Sequence, residues 1–279
     1  MYEGPGVMPA DELKKRLAGK RALICLLTDR VDASVIAGAP DLAVVSNIAV
    51  GYDNIDVPAM KARGVVVTNT PDVLTEATAE LTWGLILSAT RRIGEGERLI
   101  RRGEWKGWAL DFMLGMELRG KQLGIVGRGR IGRAVAAKAP AFGMTAVFAK
   151  HDMSLDELLV SSDVVSLHTP GTAATRHLID RRALARMKRS AFLVNTARGP
   201  VVDEEALVWA LGERLIAGAA LDVFEKEPAV HPGLLAFENV VLAPHLGSAT
   251  RETRTAMIEL AVRNALAVLQ GKPPLTPVS

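Results

Sequence analysis

KQLGIVGRGRIGRAVAAKAPAFG, residues 121–143, is the stretch whose reading decides the fold. An apolar run, KQLGIV, leads straight into GRGRIG (127–132), and a helical pattern leads straight out. Gly127, Gly129 and Gly132 match the spacing G-x-G-x-x-G. The first glycine permits a tight turn, the second lets the backbone approach a pyrophosphate, and the third lets the helix pack closely on the strand. Where the helix begins, at Arg130 and Ile131, unpaired N–H groups and a partial positive charge favour phosphates. The hexamer alone is weak, because glycines at this spacing occur in many loops. With a strand before it and a helix after it, it predicts a dinucleotide-binding turn with NADPH or NADH as cofactor.

Further apolar runs rich in Val and Ile lie on both sides: ALICLL (22–27), LAVVS (42–46), GVVVTN (64–69), MTAVFA (144–149), DVVSLH (163–168), AFLVNTA (191–197), AGAALDV (217–223) and NVVLAP (239–244). Their hydrophobicity is continuous rather than alternating, the pattern of strands covered on both faces. Helical patterns separate them. The fold class expected is α/β, a doubly wound parallel Rossmann-type domain with a smaller α/β domain. Between the third run and the glycine motif one long helix is expected over about residues 75–102, with Gly103 near its end. The domains expected are 1–71, with 252–279 returning to it, and a dinucleotide-binding domain over 72–251.

The strand after the glycine motif should end on a group that reads the adenosine ribose, by convention an acid about twenty residues on. MTAVFA ends instead at Lys150 and His151, with Asp152 a step later. A basic pair suits a 2′-phosphate and leans toward NADPH, although both are also ordinary solvated residues after a strand.

Three polar residues follow strands where open α/β sheets place ligands. Arg198 lies in NTARGPVVDE, Glu227 in LDVFEKEP and His245 in APHLGSAT. A guanidinium binds a carboxylate or polarises a keto group with paired donors. An imidazole gives a proton to a developing alkoxide near neutral pH, and a carboxylate beside it orients it and favours its protonated form. Taken singly, the three read as a surface charge, a turn residue and a helix cap.

The chain has 279 residues, 49% apolar and 23% charged, which suits a compact globular protein. Its net charge of +3 comes from cations spread among 31 acids rather than from a basic block, so no nucleic-acid partner is expected. The single cysteine, Cys25, excludes an intramolecular disulfide and reads as a buried small hydrophobe. No apolar stretch suggests a membrane span or a signal peptide, and the expected location is the cytoplasm.

Several longer motifs follow one another in a familiar order: VGYDNID (50–56), VVVTNTPDVLTEATAELTWGLIL (65–87), RRGEWKGW (101–108), LGIVGRGRIG (123–132), MKRSAFLVNTARGPVVDEEAL (187–207), GAALDVFEKEP (218–228) and NVVLAPHLGSAT (239–250). In them the chain resembles the D-isomer-specific 2-hydroxyacid dehydrogenases, and within these the glyoxylate/hydroxypyruvate reductase branch. The resemblance implies catalytic roles for Arg198, Glu227 and His245. It also implies that backbone amides of Val50 and Gly51 hold the substrate carboxylate, that Pro170 lies near the adenosine, and that Thr196, Ala197 and Asp222 lie on the nicotinamide side. A small 2-keto acid is the implied substrate and a homodimer, clasped through the long helix, the implied assembly. VGYDNID carries no cation, which favours glyoxylate or hydroxypyruvate over a phosphorylated acid such as phosphoglycerate; a dinucleotide-binding scaffold without turnover is the alternative outside catalysis. Two departures stand out. The family has a further strand and helix before the segment that begins here at Met1. It also has a helix and short strand where Lys150, His151 and Asp152 alone lead into MSLDELLVSSD (153–163). The expectation is that these pieces lie outside the sequence given rather than being lost, and that without them a sheet edge is uncovered.

Overall fold

The computed structural model describes residues 8–278. The chain divides into two compact units, one running to Leu74 and resuming at Thr250, the other spanning Thr75–Ala249.

The first unit contains α1 (Ala10–Leu17), β1 (Ala22–Cys25), α2 (Ala33–Ile36), β2 (Val44–Asn47), α3 (Val57–Ala62) and β3 (Val66–Thr68). The second contains α4 (Thr75–Thr90), α5 (Ile93–Arg101), β4 (Gln122–Val126), α6 (Arg130–Lys138), β5 (Thr145–Phe148), α7 (Leu155–Ser161) and β6 (Val164–Leu167). It continues through α8 (Arg181–Arg186), β7 (Phe192–Asn195), α9 (Glu204–Gly212), β8 (Gly218–Leu221) and β9 (Val240–Leu242). Helix α10 (Arg251–Leu269) belongs to the first unit.

In the first unit three parallel strands lie in the order β1-β2-β3. Leu13, Val35, Ile36, Val45, Met60 and Val67 belong to its core, and α10 packs on the sheet. Cys25 is 1% exposed, and burial pushes its thiol up to about 12, as befits an inert core residue.

In the second unit six parallel strands lie in the order β5-β4-β6-β7-β8-β9. Alternate residues feed opposite cores. Val165, Leu193, Ala219 and Leu221 join one apolar cluster, while Val164, Phe192, Val194 and Ala220 join the other. This is why the strands read as unbroken apolar runs. The order reverses at β4, which pairs with β5 on one side and β6 on the other. All carboxyl ends point the same way, and a doubly wound sheet binds ligands beyond those ends, where the order reverses.

Two sequence expectations meet corrections or refinements here. The single helix over 75–102 is two helices, broken at Arg91 and Arg92. Arg92 is left-handed at φ 55 and pairs with Glu95 at 2.6 Å. The cause is a distant partner: the Met116 amide takes the Thr90 carbonyl at 2.8 Å, which an unbroken helix would need for residue 94. Beyond β5, the edge strand, the connection to α7 is a tight turn in which Lys150 is left-handed at φ 62 and its amide donates to Met153 O. The Phe148 amide faces the open edge, and Asp152 Oδ2 accepts it at 2.7 Å. A carboxylate on an edge N–H is one way to close an edge to further pairing.

Candidate active site

The glycine turn follows β4. A Cβ on Gly127, at φ 109, would come 2.3 Å from His168 O, and one on Gly132 would come 2.1 Å from Gly127 O. Both positions therefore require glycine: the first for its backbone and the strand behind it, the third for the close helix. A Cβ on Gly129 would meet nothing within 4 Å. Open space above the second glycine, with helix α6 starting at Arg130 and Ile131, is the cradle a pyrophosphate needs, so the residues present fit a dinucleotide.

One cation in this turn was not singled out from the sequence. The Arg128 guanidinium lies over the Phe148 ring, 5.7 Å from its centre, at the carboxyl end of β5. The hydrogen bond from His151, then that from the Phe148 amide and, least, the charges of His151 and Arg128 hold the Asp152 carboxyl below its ordinary range. The signal available was a basic residue at the first variable position of the hexamer.

Arg198, Glu227 and His245 follow β7, β8 and β9. Glu227 Oε2 lies 2.8 Å from His245 Nδ1, and Glu227 Oε1 accepts the Phe224 amide at 3.1 Å. Burial would raise the Glu227 pKa. The hydrogen bond and charge of His245, the Phe224 amide and the nearby Arg198 guanidinium outweigh it and hold the carboxyl below the ordinary range. The Arg198 side chain runs along Gly171 and its Nη1 donates to Ala197 O at 2.8 Å. Gly199 packs its backbone against the Phe224–Glu225 peptide so closely that a Cβ would come 1.9 Å from Phe224 C. This contact joins the loop carrying Arg198 to the loop carrying Glu227.

His245 stands at φ 54, strained for a non-glycine residue, and Asp222 holds it there. The His245 amide donates to Asp222 O at 2.9 Å, while the Leu246 and Gly247 amides donate to the Asp222 carboxylate at 2.6 and 2.8 Å. Asp222 is 1% exposed, and burial raises its pKa against those amide bonds. From α4, Thr78 Oγ1 donates to Gly247 O at 3.1 Å, and Thr82 Oγ1 lies 2.9 Å from Thr196 Oγ1. Thr78 and Thr82 were also missed from the sequence. Their signal is two threonines four apart on a buried, otherwise apolar helix face. The remaining expected positions are the exposed Pro170, in the loop after β6, and Ala197, whose amide donates to Asn195 Oδ1 at 3.0 Å. Lys150 lies in the turn after β5, and Val50 and Gly51 lie in the loop after β2 of the other unit.

Residues 83–247 match the family model for the D-isomer specific 2-hydroxyacid dehydrogenase NAD binding domain. The chain is similar to a glyoxylate reductase of Thermofilum pendens, 51% identical over 95% of this chain and 83% of that one. Among solved structures it is similar to the TT0316 protein of Thermus thermophilus (TM-score 0.93, 48% identity, covering 98% of this chain and 90% of that one). It is also similar to an NADPH-dependent glyoxylate/hydroxypyruvate reductase of Sinorhizobium meliloti in complex with NADP and malonate (TM-score 0.89, 37% identity, covering 97% and 88%). Among the described residues no helix is long and apolar enough to cross a membrane. The glycine cradle, the carboxylate–imidazole pair and these similarities lead to one conclusion: the chain belongs to the D-isomer specific 2-hydroxyacid dehydrogenases, a family of NAD(P)-dependent oxidoreductases.

Proposed function

We propose that this enzyme reduces glyoxylate or hydroxypyruvate to the D-2-hydroxy acid, with Arg198, Glu227 and His245 as its catalytic residues. The observation that carries the proposal is the 2.8 Å contact between His245 Nδ1 and Glu227, with the charge of Arg198 beside it, at the carboxyl ends of the same parallel sheet whose β4 leads into the glycine cradle. The nicotinamide, when bound, supplies the hydride that reaches the keto carbon. Because Glu227 takes Nδ1, Nε2 is the imidazole nitrogen that gives its proton to the developing alkoxide oxygen, and His245 regains a proton from solvent. The ionised Glu227 stabilises the protonated ring and fixes its orientation. Arg198 binds the substrate carboxylate and polarises the keto oxygen with paired donors. The Val50 and Gly51 amides take the carboxylate. Gly127, Gly129, Arg130, Ile131 and Gly132 hold the pyrophosphate, Pro170 borders the adenosine, and Thr196, Ala197 and Asp222 line the nicotinamide side.

NADPH is the cofactor this reading favours. The acid of the turn after β5, Asp152, is engaged by the edge amide of Phe148, whereas Arg128 and Lys150 offer two cations to a 2′-phosphate. The test follows loss of reduced-nicotinamide absorbance with glyoxylate or hydroxypyruvate, using NADPH and NADH in turn, in the parent and in Arg128→Leu. Turnover with NADPH preferred, and that preference lost in the variant, supports the reading. Absence of turnover with both cofactors overturns it.

A homodimer fits an exposed apolar segment. Ile93, Ile100, Trp105, Trp108, Leu110 and Leu114, six large apolar residues within one segment of the chain, are 56–82% exposed. Light scattering should give about twice 29.8 kDa, and Trp108→Glu with Leu110→Glu should shift it toward the monomer. The single buried thiol fits a reducing compartment such as the cytoplasm.

A further inference from the structure

In a planar trans peptide the C=O and the following N–H point in opposite directions, so whatever pins the carbonyl also aims the amide. Three consecutive carbonyls of the loop after β2 are pinned into the first unit. The Thr70 amide donates to Ala49 O at 2.9 Å. Asn69 Nδ2 donates to Val50 O at 2.8 Å, and Asn47 Nδ2 donates to Gly51 O at 2.8 Å. The amides that share those peptides, on Val50, Gly51 and Tyr52, donate to nothing among the described residues. Successive outward N–H groups form a concave donor set for an anion.

Both carboxamides are themselves held. Asn47 is 0% exposed, its Oδ1 accepts from Cys25 Sγ, and its Nδ2 also reaches Asn54 Oδ1 at 3.2 Å. Asn54 Nδ2 in turn donates to Leu26 O and Asp29 O. Asn69 is anchored by the carboxy-terminal segment: its amide donates to Thr276 O, and Thr276 Oγ1 donates to Asn69 O at 2.6 Å. Thr276 is fixed by Asn264, fully buried, whose Oδ1 accepts the Leu275 and Thr276 amides and whose Nδ2 donates to Thr276 Oγ1 at 2.8 Å.

We propose that Asn69 and Asn47 are positioning residues for the substrate carboxylate: Asn69 aims the Gly51 N–H, Asn47 aims the Tyr52 N–H, and Tyr52 is a third backbone donor of the anion loop. The inference rests on the assignment of Val50 and Gly51 as the carboxylate loop. Asn69→Leu keeps the number and branching of the side-chain heavy atoms and removes the donor. It should raise KM for glyoxylate about tenfold, the size expected for a lost hydrogen bond that serves a charged group, and leave kcat within about threefold. The dissociation constant for NADPH should not move. Methyl glyoxylate, which lacks the carboxylate, should show the same kcat/KM with parent and variant. Thr276→Val, which only loosens Asn69, should raise the glyoxylate KM by a smaller factor, so the idea stays testable should Asn69→Leu fail to fold.

An unchanged glyoxylate KM in Asn69→Leu and Thr276→Val, or an equal loss with acid and ester, would overturn the proposal. Gly51→Pro, which deletes one of the N–H donors outright, separates the two levels. If it raises KM while Asn69→Leu does not, the positioning role is wrong and the carboxylate loop stands. If it leaves KM unchanged, the carboxylate loop itself is wrong.

Discussion

Acidification should reveal what it takes to keep His168 neutral. This residue follows β6, with Nε2 2.8 Å from Ser166 Oγ and a buried Nδ1 that has no hydrogen-bond partner among the described residues. Burial lowers its pKa from the ordinary value to about 3. In the unfolded chain the ring titrates near pH ~6.5. The group is a base with a depressed native pKa, so below that value the unfolded state takes up a proton that the native state refuses. Stability is therefore fully present above the unfolded pKa and falls as the pH drops toward the native one. Between about pH 7 and about pH 5 the unfolded binding factor rises from about 1.3 to about 33 while the native factor stays at about 1, which is a loss of about 2 kcal/mol. Urea unfolding of the dinucleotide-free protein at both pH values, for the parent and for His168→Gln, measures it. The glutamine keeps an amide for Ser166 and does not titrate, so the parent should lose about 2 kcal/mol more than the variant over this interval. Equal losses in the two proteins would refute the reasoning.

Other perturbations test the site piece by piece. His245→Ala should lower turnover by about 10²–10⁴ and leave dinucleotide affinity nearly intact in a binding titration, because only proton delivery is removed. Gly132→Ala puts a methyl 2.1 Å from Gly127 O and should cost about 1–3 kcal/mol in an unfolding experiment. Gly129→Ala, whose methyl meets no protein atom within 4 Å, should leave unfolding unchanged and still weaken the dinucleotide. Glu227 has a depressed pKa, so its share of stability is present above the unfolded glutamate value and is lost as the pH falls through the lower native one. Glu227→Gln should flatten that part of the acid-unfolding curve, and a curve unchanged in shape would show that the pair with His245 contributes nothing.

Much of the second unit was legible because its determinants are local. The glycine turn, the continuous strands and the polar residues just past strand ends each depend on a few neighbouring residues, and Gly127, Arg198, Glu227 and His245 all fall at such places. What escaped depends on partners distant in sequence. The break after Thr90 is set by an amide at Met116, and neither segment signals it alone. Thr78 and Thr82 look like ordinary helix residues until Gly247 and Thr196 arrive beside them. Asp152 stands a step beyond the ribose-reading position, and nothing beside it in sequence shows that its carboxylate meets the Phe148 amide on the open edge of β5. The family resemblance implies Asp222 as a residue of the nicotinamide side, while its bonds to Leu246 and Gly247 also hold the His245 turn. Asn69 shows the limit most clearly, since its meaning lies in a carbonyl at Val50 and a hydroxyl at Thr276.

The central claim is that His245, paired with Glu227, delivers the proton in a stereospecific reduction. The most direct test incubates the enzyme with hydroxypyruvate and NADPH and resolves the product by chiral chromatography against the amount of cofactor oxidised. The account predicts D-glycerate in one-to-one proportion to oxidised cofactor, and its near disappearance in His245→Ala. Formation of L-glycerate, or an undiminished yield from the variant, would contradict it.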